Sequence, residues 1–200
     1  MIGVSRLAYD LAFQRDLLLC SPQATRYHAC MILLQRFFQI CLFKSGPADV
    51  PASHWLLKLV CLVYFSIGTL VSHVDHPWSA ALLASLSDTL LLVAVCWLLL
   101  YVRGMGERFL QTATAMAGTG AIMGLFGLPI FMLFRQVESH GQLTSLVLLL
   151  VLILMFWSLF ITAHIFRHAL EIRPGMAAIL TVAYTILSLV VVGLTISGVA

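Results

Sequence analysis

Asp88 stands near the middle of "ALLASLSDTLLLVAVCWLLLY", an otherwise apolar run long enough to cross a membrane. An ionised carboxylate at that depth costs at least about 2.5 to 3.5 kcal/mol, so it must face protein and be hydrogen-bonded or protonated. The chemistry such a group offers is proton binding or ion binding. Ala81, Ala84 and Ser85 lie one and two helical turns away on its face, making a small and polar stripe. Counting about 1.5 Å per residue brings Asp88 level with Gly124, with the Thr185 to Ser188 region, and with Tyr64 or Ser66. No basic residue shares that depth, so a neutral Asp88 that both donates and accepts a hydrogen bond is expected. The expected intramembrane polar site is Asp88 with Ser85, Thr185 and Ser188.

Histidines supply the other candidate chemistry. His164 and His168 in "HIFRHALE" have the i, i+4 spacing that puts two imidazoles on one helix face, with Glu171 one turn further on. A di-iron membrane enzyme needs many more histidines than His28 and His54 can add. "SHVDHPW" offers His73, Asp75 and His76, and "RQVESHGQ" offers Glu138 and His140, types that bind zinc or copper when they converge. Short polar connections collect such residues without a site, and beside Arg167 the histidines suit lipid headgroups. The expectation is no metal and no cofactor. The sequence has no GxSxG, P-loop, HExxH or CxxC motif, so the chain is read as a non-enzyme.

These residues need elements to carry them. The 200 residues are 62% hydrophobic and 10% charged, with a mean hydropathy of +1.04. That excludes a water-soluble globular domain and points to an all-α polytopic membrane protein. Runs of about 20 apolar residues, the length that crosses the hydrocarbon core, fall at 55–71, 79–102, 109–134, 145–166 and 176–197. Residues 1–30 are read as a cytoplasmic extension without a cleavable signal peptide, and 31–54 as an interfacial amphipathic helix and linker. "MILLQRFFQICLF" is too short to span. Gln35, Arg36 and Gln39 mark its polar side, and Lys44 with Gly46 and Pro47 is expected to stop it. Ser53 is the expected N-cap of the first span.

Arg6, Arg15, Arg26, Arg36, Lys44, Lys58, Arg103, Arg108, Arg167 and Arg173 lie on one side of this topology, and only Arg135 on the other. The Lys/Arg excess predicts a cytoplasmic N-terminus, a periplasmic C-terminus and a bacterial inner membrane. The net charge of +3 is then a girdle for anionic lipid and calls for no nucleic acid. None of the five cysteines is expected on the oxidising side, so no disulfide framework is expected.

The third span carries "AGTGAIMGLFGLP". Gly120 and Gly124 form a GxxxG that Ala117 and Ala121 extend, a face where another helix can approach closely, and Pro129 is expected to bend the outer end. Five spans, "FKSGPADVPAS" before the first, "RFLQTATAMAGTGAIMGLFGLP" in the third and "HALEI" before the fifth resemble the Yip1-like membrane protein superfamily. That resemblance implies an integral scaffold over residues 31–200 that assembles with itself or with other membrane proteins. The leading expectation is a non-enzymatic scaffold or accessory subunit that associates through the small-residue face of the third span. The alternative is a small proton-coupled transporter or channel with Asp88 as its protonatable site.

Overall fold

The computed structural model describes residues 22–137 and 141–198. Most of the expected N-terminal extension, together with Glu138 and His140, therefore lies outside the described residues. The chain divides into two units, Met1–Arg36 and Phe37–Ala200. In the first unit, described residues 22–36 are the opening turns of helix α1, Pro22–Cys41. Everything below concerns the second unit.

Five further helices follow: α2 (His54–His73), α3 (Trp78–Val102), α4 (Phe109–Val137), α5 (Gly141–Leu170) and α6 (Pro174–Ser197). All five are long and apolar enough to cross a membrane. The chain is an all-α integral membrane protein. Its spans run a few residues past the apolar runs because backbone bonding within the helix continues through polar ends such as Ser72, His73, Arg167 and His168. Ser53 does cap α2, its hydroxyl accepting from the Leu56 amide at 3.5 Å.

Three helix ends share one device. The amides of Lys44, Met105 and Ile172 each reach the carbonyl five residues back, at 2.9, 2.8 and 3.3 Å, across a residue in the left-handed region: Phe43 (φ 60), Gly104 (φ 69) and Glu171 (φ 52). This 6→1 closure satisfies carbonyls that the last turn leaves free. It also corrects the expected stop of α1: the helix ends at Cys41, with the reversal at Phe43. Gly46 and Pro47 instead open a separate 3-10 turn, Pro47–Asp49, where the Asp49 carboxylate accepts from the Gly46 amide.

Glu171 gives a sharp test of this cap. A non-glycine residue at positive φ costs about 1 to 2 kcal/mol, while its ion pair with Arg108 (2.6 Å) is exposed on both partners and is worth no more than about 1 kcal/mol. Thermal unfolding in detergent should rank Glu171→Gly above Glu171→Ala by about 1 kcal/mol. Equal stabilities would mean that the cap conformation is not held.

The helices close a ring in the order α2, α3, α6, α5, α4, with α3 and α4 also touching across it. Small residues on α4 permit the closest approaches. A Cβ on Gly120 would come within 2.6 Å of the Tyr64 ring of α2, and one on Gly124 within 2.9 Å of Ile67. A Cβ on Gly118 would come within 2.5 Å of the Phe37 ring. Ala117 and Ala121 are buried. This face is therefore spent inside the chain, against α2 and the end of α1, and is not a free surface for association.

The last turn of α1 is part of the bundle. Phe37, Ile40 and Cys41 are buried, Phe38 meets Phe126 edge-on at 6.3 Å, and the Trp157 indole donates to the Cys41 carbonyl at 3.1 Å. Gly118, against which Phe37 packs, lies nine residues into α4, about 13 Å along it. The surface position expected for residues 31–43 does not hold for this turn. Burial pushes the Cys41 thiol up to about 11, so it stays protonated at neutral pH and is no nucleophile.

Packing is uneven along the bundle. Toward the end that carries Arg103, Arg108, Arg167 and Arg173, here the basic end, α3 buries Leu92, Cys96 and Leu100, and α5 buries Ile161, Ile165 and Phe166. On α6 the buried residues, Ala177 and Thr181, both belong to its first two turns. Arg103 crosses to the Leu170 carbonyl at 3.2 Å, placing a cation on the C-terminus of α5. Toward the opposite end, α3 presents Ala80, Ala81, Ala84 and Ser85 to the interior. One helix thus carries large side chains on its inner face in one half and small ones in the other.

Candidate intramembrane acid site

Asp88 sits where that inner face changes from small to large. Ala81, Ala84, Ser85, Asp88, Leu92 and Cys96 recur at helical spacing, so the face that buries alanines must also turn Asp88 inward. Half-buried there, it meets two hydroxyls. Tyr64 of α2 donates to Oδ2 at 2.5 Å and Ser188 of α6 donates to Oδ1 at 2.5 Å. Both oxygens are engaged, each by a different helix. If Asp88 is protonated, one of the two hydroxyls reverses and accepts.

The partners are held by their own surroundings. The Tyr64 ring lies over Gly120, which has no side chain to push it away. Ser85, one turn from Asp88, donates to the Phe65 carbonyl at 2.7 Å, and a Cβ on Gly68 would come within 2.7 Å of its oxygen. Helices α2 and α3 are thereby drawn together beside the acid.

Of the residues expected to bond Asp88, Ser188 does so, and Tyr64 rather than Ser66 comes from α2. Thr185 does not: its hydroxyl donates to the Thr181 carbonyl of its own helix at 2.9 Å. Ser66 likewise bonds the Leu62 carbonyl and is exposed. A helical Ser or Thr can always satisfy itself on the carbonyl one turn back, so matching depth does not ensure a cross-helix bond. A tyrosine hydroxyl is too far from its own backbone to do this.

Beyond Asp88, toward the end opposite the basic one, a cavity of about 290 Å³ runs between α2, α3, α4 and α6. Its deep end is Tyr64, Asp88 and Ser188, and Ser72 lines it eight residues further along α2, about 12 Å away. Ile67, Val71, Leu189 and Val192 give it apolar walls. Gly68 and Ser72 were missed in the sequence. The signal was there in the i, i+4, i+8 series Tyr64, Gly68, Ser72, a small and polar stripe on α2 facing the one on α3.

Two basic groups pair elsewhere. Arg135 bonds Asp75 at 3.0 Å and also donates to the Val74 carbonyl, tying the end of α4 to the α2–α3 turn. Arg108 takes Glu171. Among the described residues no Lys, Arg or His forms an ion pair with Asp88.

The histidines do not converge on a metal geometry. His164 bonds the Ser45 carbonyl through Nε2 at 3.1 Å and lies edge-on to His168 with ring centres 4.4 Å apart. Glu171 has turned away to Arg108. His73 stacks on Trp78 at 3.8 Å and bonds the His76 carbonyl through Nδ1 at 3.1 Å, while Asp75 is taken by Arg135. Among the described residues no three His, Cys, Asp or Glu groups could hold one ion. His140 lies outside them.

Comparison with models of protein families, with curated proteins and with solved structures found no match.

Proposed function

We propose that this is a non-enzymatic membrane protein that binds and releases a proton at Asp88 through the adjoining cavity, as the coupling site of a small transporter. The observation that carries the reading is the placement of an acid with no basic partner among the described residues at the floor of a cavity, with tight packing on its other side. A purely structural acid would be enclosed by its bonding partners, with no space beyond them. With the Lys/Arg distribution as a guide, the cavity faces the periplasm of a bacterial inner membrane, the N-terminus being cytoplasmic and the C-terminus periplasmic.

Infrared titration of the chain in lipid nanodiscs tests this. Wild type minus Asp88→Asn should isolate a carboxyl band that responds to the pH of the medium and shifts promptly in heavy water. A band that neither titrates nor exchanges defeats the proposal.

The scaffold reading, to which the Yip1-like pattern belongs, draws support from the short connections between spans, which leave no room for a domain between them. It ranks second because the small-residue face it relied on is filled by α2 and Phe37. Any partner surface must then be the lipid-facing sides.

A further inference from the structure

From the same site, and resting on the reading just given, we infer that the cavity takes a small lipophilic amine, its ammonium at Asp88 and its apolar body toward Ser72. Three observations converge. The floor is an acid whose two bonding partners, Tyr64 and Ser188, are neutral hydroxyls. When Asp88 is ionised, the missing charge is one cation. The walls beyond it are Ile67, Val71, Leu189 and Val192, useless to a proton and suited to a hydrocarbon body. The volume of about 290 Å³ is at the small end for an organic ligand.

An inorganic cation fits less well. Calcium takes about six to eight oxygen ligands and magnesium demands a near-ideal octahedron, whereas this floor offers one carboxylate and two hydroxyls. The hydroxyl of Ser85 already donates to the Phe65 carbonyl. The Tyr64 ring beside the acid adds a face that attracts ammonium.

The exchange balances without any co-reactant. A protonated Asp88 meets an ammonium ion, the carboxyl O–H bond breaks, the proton leaves to water through the cavity, and the carboxylate keeps the ammonium by ion pairing and hydrogen bonding. One cation enters for each proton released, so the step moves no net charge. Proton and amine compete for one carboxylate, and each must weaken the other's binding by the same factor.

Phenethylamine is the probe, with phenethyl alcohol as its uncharged counterpart. Calorimetry on the full chain in nanodiscs, run in buffers of different ionisation heat, should show amine binding with release of about one proton per amine. While the site is protonated, affinity should rise about tenfold per pH unit, and the alcohol should bind at least about tenfold more weakly. Asp88→Asn should lose the amine while keeping a cooperative melting transition. Equal binding of the alcohol, unchanged binding by Asp88→Asn, or no amine binding to wild type overturns the inference. If the infrared band titrates while the amine fails, only the ligand class is lost; if the band does not titrate, the proton site falls with it.

Discussion

Asp88→Leu should destabilise the bundle by about 1 to 3 kcal/mol, and Asp88→Asn by clearly less. The asymmetry comes from what is left behind. Leucine removes both acceptors at once, stranding the hydroxyls of Tyr64 and Ser188. A buried orphan hydroxyl costs about 1 to 3 kcal/mol, but the two are not alike. Ser188 can turn to the Tyr184 carbonyl one turn back, as Thr185 already does to Thr181. Tyr64 has no such retreat, so most of the loss belongs to it. Interhelical hydrogen bonds in membranes average only about 0.6 kcal/mol, which sets the lower end of the range. Asparagine keeps a carbonyl acceptor for one hydroxyl and turns its amide toward the other.

The measurement is reversible unfolding in mixed micelles, extended to a double-mutant cycle. Tyr64→Phe should cost about 1 kcal/mol in wild type and close to nothing in the Asp88→Leu background. Independent costs in the two backgrounds would show that the Tyr64–Asp88 bond does not exist in the membrane. Both Asp88 variants should abolish proton binding, so stability and proton chemistry separate: asparagine keeps the first and loses the second.

Gly120→Ala should cost about 1 to 3 kcal/mol and disturb the acid without touching it. The new Cβ would stand 2.6 and 3.2 Å from Cε2 and Cδ2 of Tyr64. Atoms at a ring edge cannot bend aside one at a time, and the far end of this ring is held by Asp88. Either the hydroxyl leaves Asp88 or α2 and α4 move apart. Gly193→Ala is the control, because a Cβ there meets nothing within 4 Å. It should be neutral or stabilising by up to about 1 kcal/mol, since alanine is the better helix former. If the two alanines behave alike, the close approach of α2 to α4 is not present in the membrane. If it is present, Gly120→Ala should also shift the titration of Asp88 seen by infrared.

The five spans were legible because crossing lipid imposes a length and a hydropathy that few other structures share. Asp88 stood out for the same reason, and counting depth along the helices brought it to Tyr64 and Ser188. Depth fixes height, but not rotation about the helix axis or the choice between a neighbour and one's own backbone. Thr185 shows the second of these. The cap of α1 was misread because phenylalanine is a poor choice for the left-handed region that Phe43 occupies, and the more permissive Gly46 stood close by.

The buried turn at Phe37, Ile40 and Cys41 escaped notice for a different reason. In water an apolar stripe announces a protein neighbour, but lipid is as apolar as leucine, so Leu42 and Ile40 look alike in sequence. In the second unit Leu42 is 49% exposed and Ile40 is fully buried. The cavity was missed because its walls come from α2, α3, α4 and α6 together, and no single segment reveals the space between them.

The threonines in and near the tightly packed half of the bundle bear on energy conservation. Thr112, Thr114, Thr119 and Thr181 are buried polar residues, and each spends its hydroxyl on the backbone carbonyl four residues back. They therefore form no relay of hydrogen-bonded hydroxyls from Asp88 to the basic end. On the proposed reading, a proton that arrives through the cavity meets no relay through these threonines. A membrane potential of about 100 mV is worth about 2.3 kcal/mol for each charge that crosses, and a bundle wet along its whole length would dissipate it. On the proposed reading, the large side chains that fill the half beyond Asp88 are what would keep a proton-binding acid from becoming an uncoupler.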